Sequence, residues 1–572
     1  MEKEWITPPG LSAEEKQLVS ELSDSLKSPP MVSELLFRQG LKTEQEIRDF
    51  FTPSLYHQHD PFLFEDMDKA VTRIVQAIER HEKITIYGDY DVDGTTATAL
   101  LLLGLRKLGA EIDFYIPHRM IDGYGLSLGS LDQLKESGSS LIISVDCGVN
   151  ALEEIAAINA MGMEIIITDH HNPKEELPKA LAIINPKLPG TRYPYPHLAG
   201  VGVAFKLLMA IYQRMGYQNV ETTLKYMDLV AVGTIADIVP LTGENRVFAS
   251  IGLQHLIDKK NLGLNALVSI SGMNHKTLDT NDIVFGIAPR INAAGRMGSA
   301  ALAVELLISC EEAQSDELAE VIERQNSLRQ QLDQRTFHEA CEIIEKKYKD
   351  LANTPCMVIS SDDWHPGVIG IVASKLVEKY YRPVIMISFK EGFGSGSGRS
   401  MGDFDLFSAL KHTEHNLHSF GGHKYAVGLT IYQEYIDRFE NELTRYVSDT
   451  LRTEQIKPPL QIDHELELYD INDFFLDWIE RFAPFGPDNN RPVFATRGVC
   501  VASYPYNVGR NHIKLKVMKD GMSLDLIGYN LGDYLSLLKK NSIVDIAYTL
   551  EYNRFGNKTS IQGKLRDIHV RQ

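Results

Sequence analysis

The chain has 572 residues, more than one compact core usually holds, so three or four domains are expected. Hydrophobic residues at 44% and charged residues at 24% exclude a mainly disordered, collagen-like or membrane-embedded protein. The net charge of −19, from 58 Lys and Arg against 77 Asp and Glu, taken at face value argues against a phosphate-rich nucleic-acid partner.

Residues 1–60 read as short helices: LSAEEKQLVSELSDSL has helical periodicity, and KTEQEIRDFF starts at Thr43 with acids in its first turn. From about 80 to 240, strand and helix patterns alternate. KITIYG, EIDFYIP, SLIISVD, MEIIITD and LAIINP read as strands, with TTATALLLLGLRKLGA and ALEEIAAINAMG as helices between them. That alternation predicts a mostly parallel, doubly wound sheet with its ligand site beyond the carboxyl ends of the strands. Residues 240–310 read as helical. Residues 311–349 are polar and free of Gly and Pro, which predicts a long helical connector. A second α/β region follows, with strands CMVIS and PVIMISF, then FGSGSGRS and the loop GGHKYAVG. After KPP at 457–459, short strands with frequent turn residues predict a small all-β barrel.

The cysteines Cys147, Cys310, Cys341, Cys356 and Cys500 form no CxxC pair, which disfavours a disulfide framework or zinc knuckle and fits a reducing compartment. No basic-then-apolar leader and no run of 18 apolar residues is seen, so a cytoplasmic protein without a membrane partner is expected.

Four apolar segments end in acidic or imidazole groups. They lead into Asp89, Asp91 and Asp93; Asp146; Asp169, His170 and His171; and Asp237. Extended backbone would point Asp89, Asp91 and Asp93 the same way. Helix capping accounts for one Asp there, not for three. An EF-hand is excluded because the twelfth position from Asp89 is Leu100, and Gly88–Thr95 lacks the Lys of a phosphate-binding P-loop. In a parallel sheet these ends converge. Carboxylates with imidazole and no thiolate suit Mn²⁺ or Mg²⁺, and their number suits two ions sharing a carboxylate around a phosphoryl group.

With those residues in place, the chain resembles the DHH phosphoesterase superfamily and, within it, the RecJ family of single-strand-specific 5′→3′ DNA exonucleases. YGDYDVDGTTATALL, VDCGVN, TDHHNP and VGTIADIVPL resemble the four metal motifs, and PRINAAGRMG and GGHKYAVG the later ones. The resemblance runs from about residue 35 to the end. It implies an α/β multidomain protein: an N-terminal helical segment (1–60), a doubly wound DHH domain (61–310), a connector helix (311–350), a smaller α/β DHHA1-like domain (351–456) and an OB-like barrel for single-stranded nucleic acid (457–572). It implies Asp89, Asp91 and Asp146 on one metal ion, and Asp93, Asp146, His170 and Asp237 on the other. His171 would meet the scissile phosphate, supported by Asp169. Arg399 and His423 would serve the phosphate as electrophiles, and Arg119, Arg290, Arg296 and Ser400 are further substrate candidates. The implied reaction is two-ion hydrolysis of single-stranded DNA to mononucleotides in recombination and repair, alongside a helicase and a single-strand-binding protein.

The charge is unevenly distributed. Residues 491–572 hold 13 Lys and Arg and 6 Asp and Glu, a net of +7, which leaves −26 on the first 490. Aromatics alternate with cations there: Tyr504, Tyr506, Arg510, Lys514, Lys516, Tyr529, Tyr552 and Arg554. Such a barrel suits base stacking with phosphate attraction. Lys83, Arg324, Arg329, Arg335 and Lys424 are candidates to extend the track. Two other readings remain: a phosphodiesterase for short oligonucleotides or cyclic dinucleotides, which needs no extended track, and a non-catalytic DNA-binding scaffold, which would have lost its metal-site acids.

Overall fold

The computed structural model describes residues 3–119, 122–123, 125–217, 221–273, 278–351, 353–451, 457–555 and 558–571. Its contacts divide into two units: Pro8–Gln325 with Ile462–Gln572, and Asn326–Gln461 with the described part of Met1–Thr7. Among the described residues no helix is long and apolar enough to cross a membrane.

The first unit is built on five parallel strands: β1 (Ile84–Gly88), β2 (Ile112–Tyr115), β3 (Leu141–Val145), β4 (Glu164–Thr168) and β5 (Ala182–Ile184), in the order β2-β1-β3-β4-β5. β1 and β3 are buried at every position, as expected where both faces of a sheet are covered. Ile84, Ile86, Leu141 and Ile143 face the helices Met67–Glu79, Val92–Lys107 and Gly200–Arg214. Ile142, Ile165 and Ile167 face the helices Leu128–Glu136 and Leu152–Ala160. The sheet is therefore doubly wound. The helices Met227–Ala236, Gly243–Ile257, Leu262–Ile270, Ala288–Met297 and Ala301–Ile308 enlarge the first of these cores.

One continuous helix spans Glu312–Lys347, with an acid in its first turn and lysines in its last, which complements its dipole. In the second unit lie β6 (Met357–Ser361), β7 (Val384–Lys390), β8 (Phe393–Arg399), β9 (Ser419–Gly422) and β10 (Ala426–Tyr432), in the order β9-β10-β8-β7-β6. The helix Pro366–Tyr380 covers one face; Leu406–His412 and Ile436–Thr450 lie on the other. FGSGSGR is β8, paired on both sides. Its glycines are packing positions: a Cβ at Gly396 would come 2.7 Å from Leu429, and one at Gly398 would come 2.6 Å from Val427.

The barrel comprises β11 (His464–Glu465), β12 (Phe494–Val501), β13 (Tyr506–Val508), β14 (His512–Lys519), β15 (Met522–Gly528), β16 (Ile543–Phe555) and β17 (Lys558–Val570). The run β12-β16-β17-β15-β14 closes where β12 pairs with β14, which removes its free edges. Its core is not its own alone. Leu36 and Ile47, from the helices Pro30–Arg38 and Glu44–Phe51, join Phe475, Ile479, Phe494, Leu515 and Tyr548 in one cluster. The helix Asp473–Glu480, absent from the all-β expectation, supplies Phe475 and Ile479. Arg246, buried on the helix Gly243–Ile257, donates to the carbonyls of Phe50, Phe482 and Ala483 at 2.8–3.0 Å and ties these segments together.

Candidate metal centre

The register of the parallel sheet lays out the site. Gly88 lies beside Val145, Val145 beside Thr168, and Thr168 beside Ile184. The next residue on each strand therefore stands in one row along the carboxyl edge: Asp89, Asp146, Asp169 and Asn185. Adjacent strands lie about 4.8 Å apart, so four polar groups share a single rim. Asp89, Asp146, Asp169 and Asn185 are all buried.

The Asp89–Asp93 segment departs from the extended expectation. The helix begins at Val92, because Asp91 is its N-cap and accepts from Gly94 N at 3.0 Å. Asp93 thus lies in the first helical turn. Its two oxygens accept from Gly200 N at 2.6 Å and Val201 N at 2.8 Å, at the start of another helix. The glycines here fit around carboxylates. A Cβ at Gly94 would come 2.6 Å from Asp89 O, and one at Gly200 would come 2.7 Å from the Asp146 side chain. Asp237 closes the opposite side as the C-cap of Met227–Ala236. Asp146 and Ile238 both adopt left-handed backbone, at φ +60° and +59°. For a β-branched residue that conformation is an outlier, costing about 1–3 kcal/mol. Strain is thus stored at or beside two of the acids.

His170 Nε2 lies 3.1 Å from Asp146 Oδ1, 3.6 Å from Asp237 Oδ2 and 3.9 Å from Asp93 Oδ2. Burial, aided by the charge of His171, pulls its pKa down to about 3, so the ring is neutral and able to ligate. His171 differs. Burial acts to lower its pKa, but Asp169, 2.8 Å from its Nδ1, holds it above the ordinary value. Asp169 also accepts from the N–H groups of Val149, His170 and His171. Burial acts to raise its pKa, but the His171 side chain first, and then the N–H groups of His171 and Val149, hold it below the ordinary value. Asp169 therefore supports the histidines from beneath.

The remaining acids are electrostatically uncomfortable. Burial, and after it the charge of Asp91, pushes Asp93 up to about 7. Burial and the charges of Asp93 and Asp91 push Asp237 up to about 9. Asp89 and Asp146 lie well above the carboxylate range, first from burial and then from neighbouring carboxylates. Asp89 Oδ1 and Asp237 Oδ2 are buried without a hydrogen-bond donor among the described residues. Ligand atoms converge within 4.8 Å in three sets: Asp89, Asp91 and Asp146; Asp93, His170 and Asp237; and Asp146, His170 and His171. This donor set fits divalent cations: hard oxygens dominate, imidazole completes them, and positive charge would relieve the mutual repulsion.

Matches to known proteins agree with this geometry. The DHH family N-terminal domain matches residues 83–234, the DHHA1 domain 353–449 and the RecJ OB domain 462–567. The single-stranded-DNA-specific exonuclease RecJ of Bacillus subtilis is 37% identical over 555 residues, spanning 96% of this chain and 69% of its own. That of Haemophilus influenzae is 33% identical over 559 residues, spanning 95% of this chain and 96% of its own. The chain belongs to the RecJ family. The crystal structure of RecJ from Thermus thermophilus in complex with Mn²⁺ aligns with 99% of this chain and 80% of its own, at TM-score 0.83 and 26% identity. The same protein with Mg²⁺ aligns with 99% and 78%, at TM-score 0.76 and 25% identity.

The remaining expected site residues are scattered by comparison with this RecJ-type centre. Arg119 lies over the Tyr90 ring at 4.8 Å, beside the Asp89–Asp91 turn. The helix bearing Arg296 approaches the same turn, since a Cβ at Gly295 would come 3.1 Å from Tyr90 O. Arg290 is turned to Glu323 at 2.6 Å and to Gly286 O at 2.8 Å, a structural ion pair. In the second unit, Arg399 Nη1 donates to Ser397 Oγ and Gly398 O, Ser400 Oγ donates to Phe404 O, and His423 is exposed after β9. On the barrel, Tyr504 and Tyr506 are exposed, and Lys514 pairs across strands with Tyr506. Lys514 and Lys516 alternate with buried Ile513, Leu515 and Val517, so both point outward. Lys516 lies 3.4 Å from Asp525. Arg510 is exposed, as is Tyr529, which stacks edge-on with His512 beneath Lys564. Tyr552 is committed to Asp477 at 2.7 Å.

Four contributors escaped sequence reasoning. Gly200 and Val201 hold Asp93 by main-chain N–H groups, which carry no side-chain signature. Asn185 had a usable signal, because it follows an apolar strand as the aspartates do; its Nδ2 donates to His171 O at 2.9 Å. Lys187, two residues on, is half-buried near Asp237 and Asp169. Burial lowers its pKa against their pull.

Proposed function

We propose that this chain is a metal-dependent exonuclease that degrades single-stranded DNA 5′→3′ to mononucleotides. The observation that carries this reading is the convergence of Asp89, Asp91, Asp93, Asp146, His170 and Asp237 on one sheet edge, in a chain that also bears an aromatic and basic barrel face. Asp89, Asp91 and Asp146 would hold one Mn²⁺ or Mg²⁺, and Asp93, Asp146, His170 and Asp237 a second. The ions would supply an activated water and charge neutralisation at the phosphoryl group. The chain's own part is positional. Asp169 fixes the ring of His171 and the main chain at His170. His171 would face the anionic phosphate. Gly200 and Val201 lock the Asp93 carboxylate. Arg119 and Arg296 add positive charge beside the Asp89–Asp91 turn. Arg399, Ser400 and His423 contribute further phosphate contacts, and Tyr504, Tyr506, Arg510, Lys514 and Lys516 bind the strand farther from the chemistry. The protein works in the cytoplasm in recombination and repair, with a helicase and a single-strand-binding protein as partners.

The test uses a long single strand labelled at either end, incubated with protein and Mn²⁺ beside a blunt duplex and a cyclic dinucleotide. Mononucleotides should appear from the 5′ end of the single strand and vanish with Asp93→Ala. Equal degradation of duplex, release from the 3′ end, or preference for the cyclic dinucleotide would each overturn the reading. Arg399→Ala and His423→Ala should lower kcat while Mn²⁺ affinity stays unchanged.

A further inference from the structure

The free cysteines occupy different surroundings. Cys147 and Cys356 are buried, and burial pushes their thiols up, Cys356 to about 12. Cys310 is exposed, with its Sγ turned to Ile308 O. Cys341 has an amine against it. It lies on the Glu312–Lys347 helix, and Lys379 Nζ, on the Pro366–Tyr380 helix, approaches its Sγ to 3.3 Å. Both residues belong to the same unit.

The setting is that of a reactive pair. The Lys379 ammonium lies over the Tyr380 ring at 4.8 Å and 4.0 Å from Glu345. Its side chain is 43% exposed, so solvent and small oxidants reach the amine end, while Cys341 is 8% exposed. The Tyr380 hydroxyl is shut from solvent. Burial acts to lower the lysine's pKa, but Tyr380 and Cys341 hold it above its ordinary value. Thiolate is the form of a cysteine that peroxide oxidises, and the Lys379 amine lies within reach of the sulfur at 3.3 Å.

We propose that Cys341 and Lys379 are joined by a hydroperoxide into a sulfenamide cross-link between these two helices. The thiolate attacks one peroxide oxygen: an S–O bond forms, the O–O bond breaks, and sulfur is oxidised as peroxide is reduced. The released hydroxide takes a proton from the Lys379 ammonium and leaves as water. The neutral amine then attacks the sulfenic sulfur. The S–N bond forms, the S–O bond breaks, and the departing hydroxide takes the second N–H proton as water. One thiol, one amine and one hydrogen peroxide give one S–N bond and two waters. The neighbouring amine intercepts the sulfenic acid before further oxidation, and a thiol reductant reverses the bond.

The experiment treats the full-length protein with limiting hydrogen peroxide and maps its peptides by mass spectrometry, with dimedone as sulfenic-acid trap. The expected product is a Cys341–Lys379 peptide pair lighter by two hydrogens than the sum of its parts, lost on treatment with dithiothreitol. Lys379→Arg keeps the charge but removes the nucleophile, so the cross-link should disappear and Cys341 should capture dimedone several-fold more. Thermal melting with and without peroxide should show a rise in Tm for the parent and none for Lys379→Arg. Equal dimedone capture in parent and variant, Cys341 inert in both, or direct advance of Cys341 to sulfinic acid would each overturn the proposal.

Discussion

Two clusters of buried charge lie in the same α/β domain and are built on opposite principles. Lys206 and Glu244 are 0% and 1% exposed at their side chains, with Nζ 2.5 Å from Oε1. Every arm is answered. Lys206 also donates to Gln58 Oε1 and His59 O, and Glu244 accepts from His59 N and from the Tyr193 hydroxyl. Asp89, Asp93 and Asp146 are about as deeply buried and Asp91 and Asp237 partly so, yet these carboxylates face one another, with Asp89 Oδ1 and Asp237 Oδ2 lacking donors among the described residues. The first cluster is internally neutral and fastens the 58–59 segment to the core. The second is complete only with cations supplied from outside. Buried charge that satisfies itself marks architecture, and buried charge that does not marks a ligand site.

The sharpest way to break this comparison is to remove one charge from each cluster. Asp146→Asn takes a carboxylate from the centre of the acidic group. Nuclease activity should fall by about 10³-fold or more, equivalent to about 4 kcal/mol of transition-state stabilisation. In chelator the same variant should melt higher than the parent, because the cost of burying an ionisable carboxyl among other acids is gone. A lower Tm, or activity within a few-fold of the parent, would sink the reading. Lys206→Met should do the reverse. It strands the Glu244 charge and should cost about 3–5 kcal/mol of stability in urea unfolding. Manganese affinity and kcat of the folded fraction should stay unchanged.

A second contrast follows from pH. Asp93 and Asp237 have folded-state pKa values raised to about 7 and about 9, against an ordinary value near 4. Above pH 4 the unfolded chain releases these protons while the metal-free folded state retains them. Stability should therefore fall as pH rises, through about pH 7 for Asp93 and on to about pH 9 for Asp237. Saturating Mn²⁺ should flatten that slope, since the bound ion favours the carboxylates in their charged form. Urea midpoints at several pH values, with chelator and with Mn²⁺, check the sign. A metal-free stability that rises from pH 5 to pH 9 contradicts it.

What the sequence showed and what it hid follow one physical line. Strand ends were legible because KITIYG, SLIISVD and MEIIITD are apolar runs terminated by a charge, and register then aligns their final residues without further information. Thr43 was legible as a helix start because the capping box with Glu46 is local. The failures are contacts distant in sequence. Arg290 meets Glu323, Asp93 meets Gly200, and Leu36 and Ile47 meet the barrel core. The extended reading of Asp89–Asp93 failed locally, because the one Asp that capping accounts for is Asp91, in the middle of the segment, and its cap starts the helix at Val92. FGSGSGRS carried no element assignment, and only the tertiary crowding of Leu429, Val427 and Ile387 shows why its glycines are strand residues.

The barrel face supplies the smallest effects and the third term of the comparison, charge that is neither buried nor mutually opposed. Tyr504 and Tyr506 are 75% and 53% exposed, so each replacement by Ala should leave stability nearly unchanged. Loss of a stacking platform should weaken binding of a long single strand by about 1–3 kcal/mol per ring. Lys514 is outward on β14 and paired with Tyr506, and under the proposed reading it would act on phosphate through its charge. Lys514→Ala should reduce the slope of log affinity against log salt by about 0.7 and weaken all sequences alike. Cleavage of a strand too short to leave the metal centre should not change in any of the three. If it falls in parallel with long-strand binding, the barrel face and the acidic cluster act as one site, and the division between compensated, uncompensated and exposed charge does not describe how this protein handles DNA.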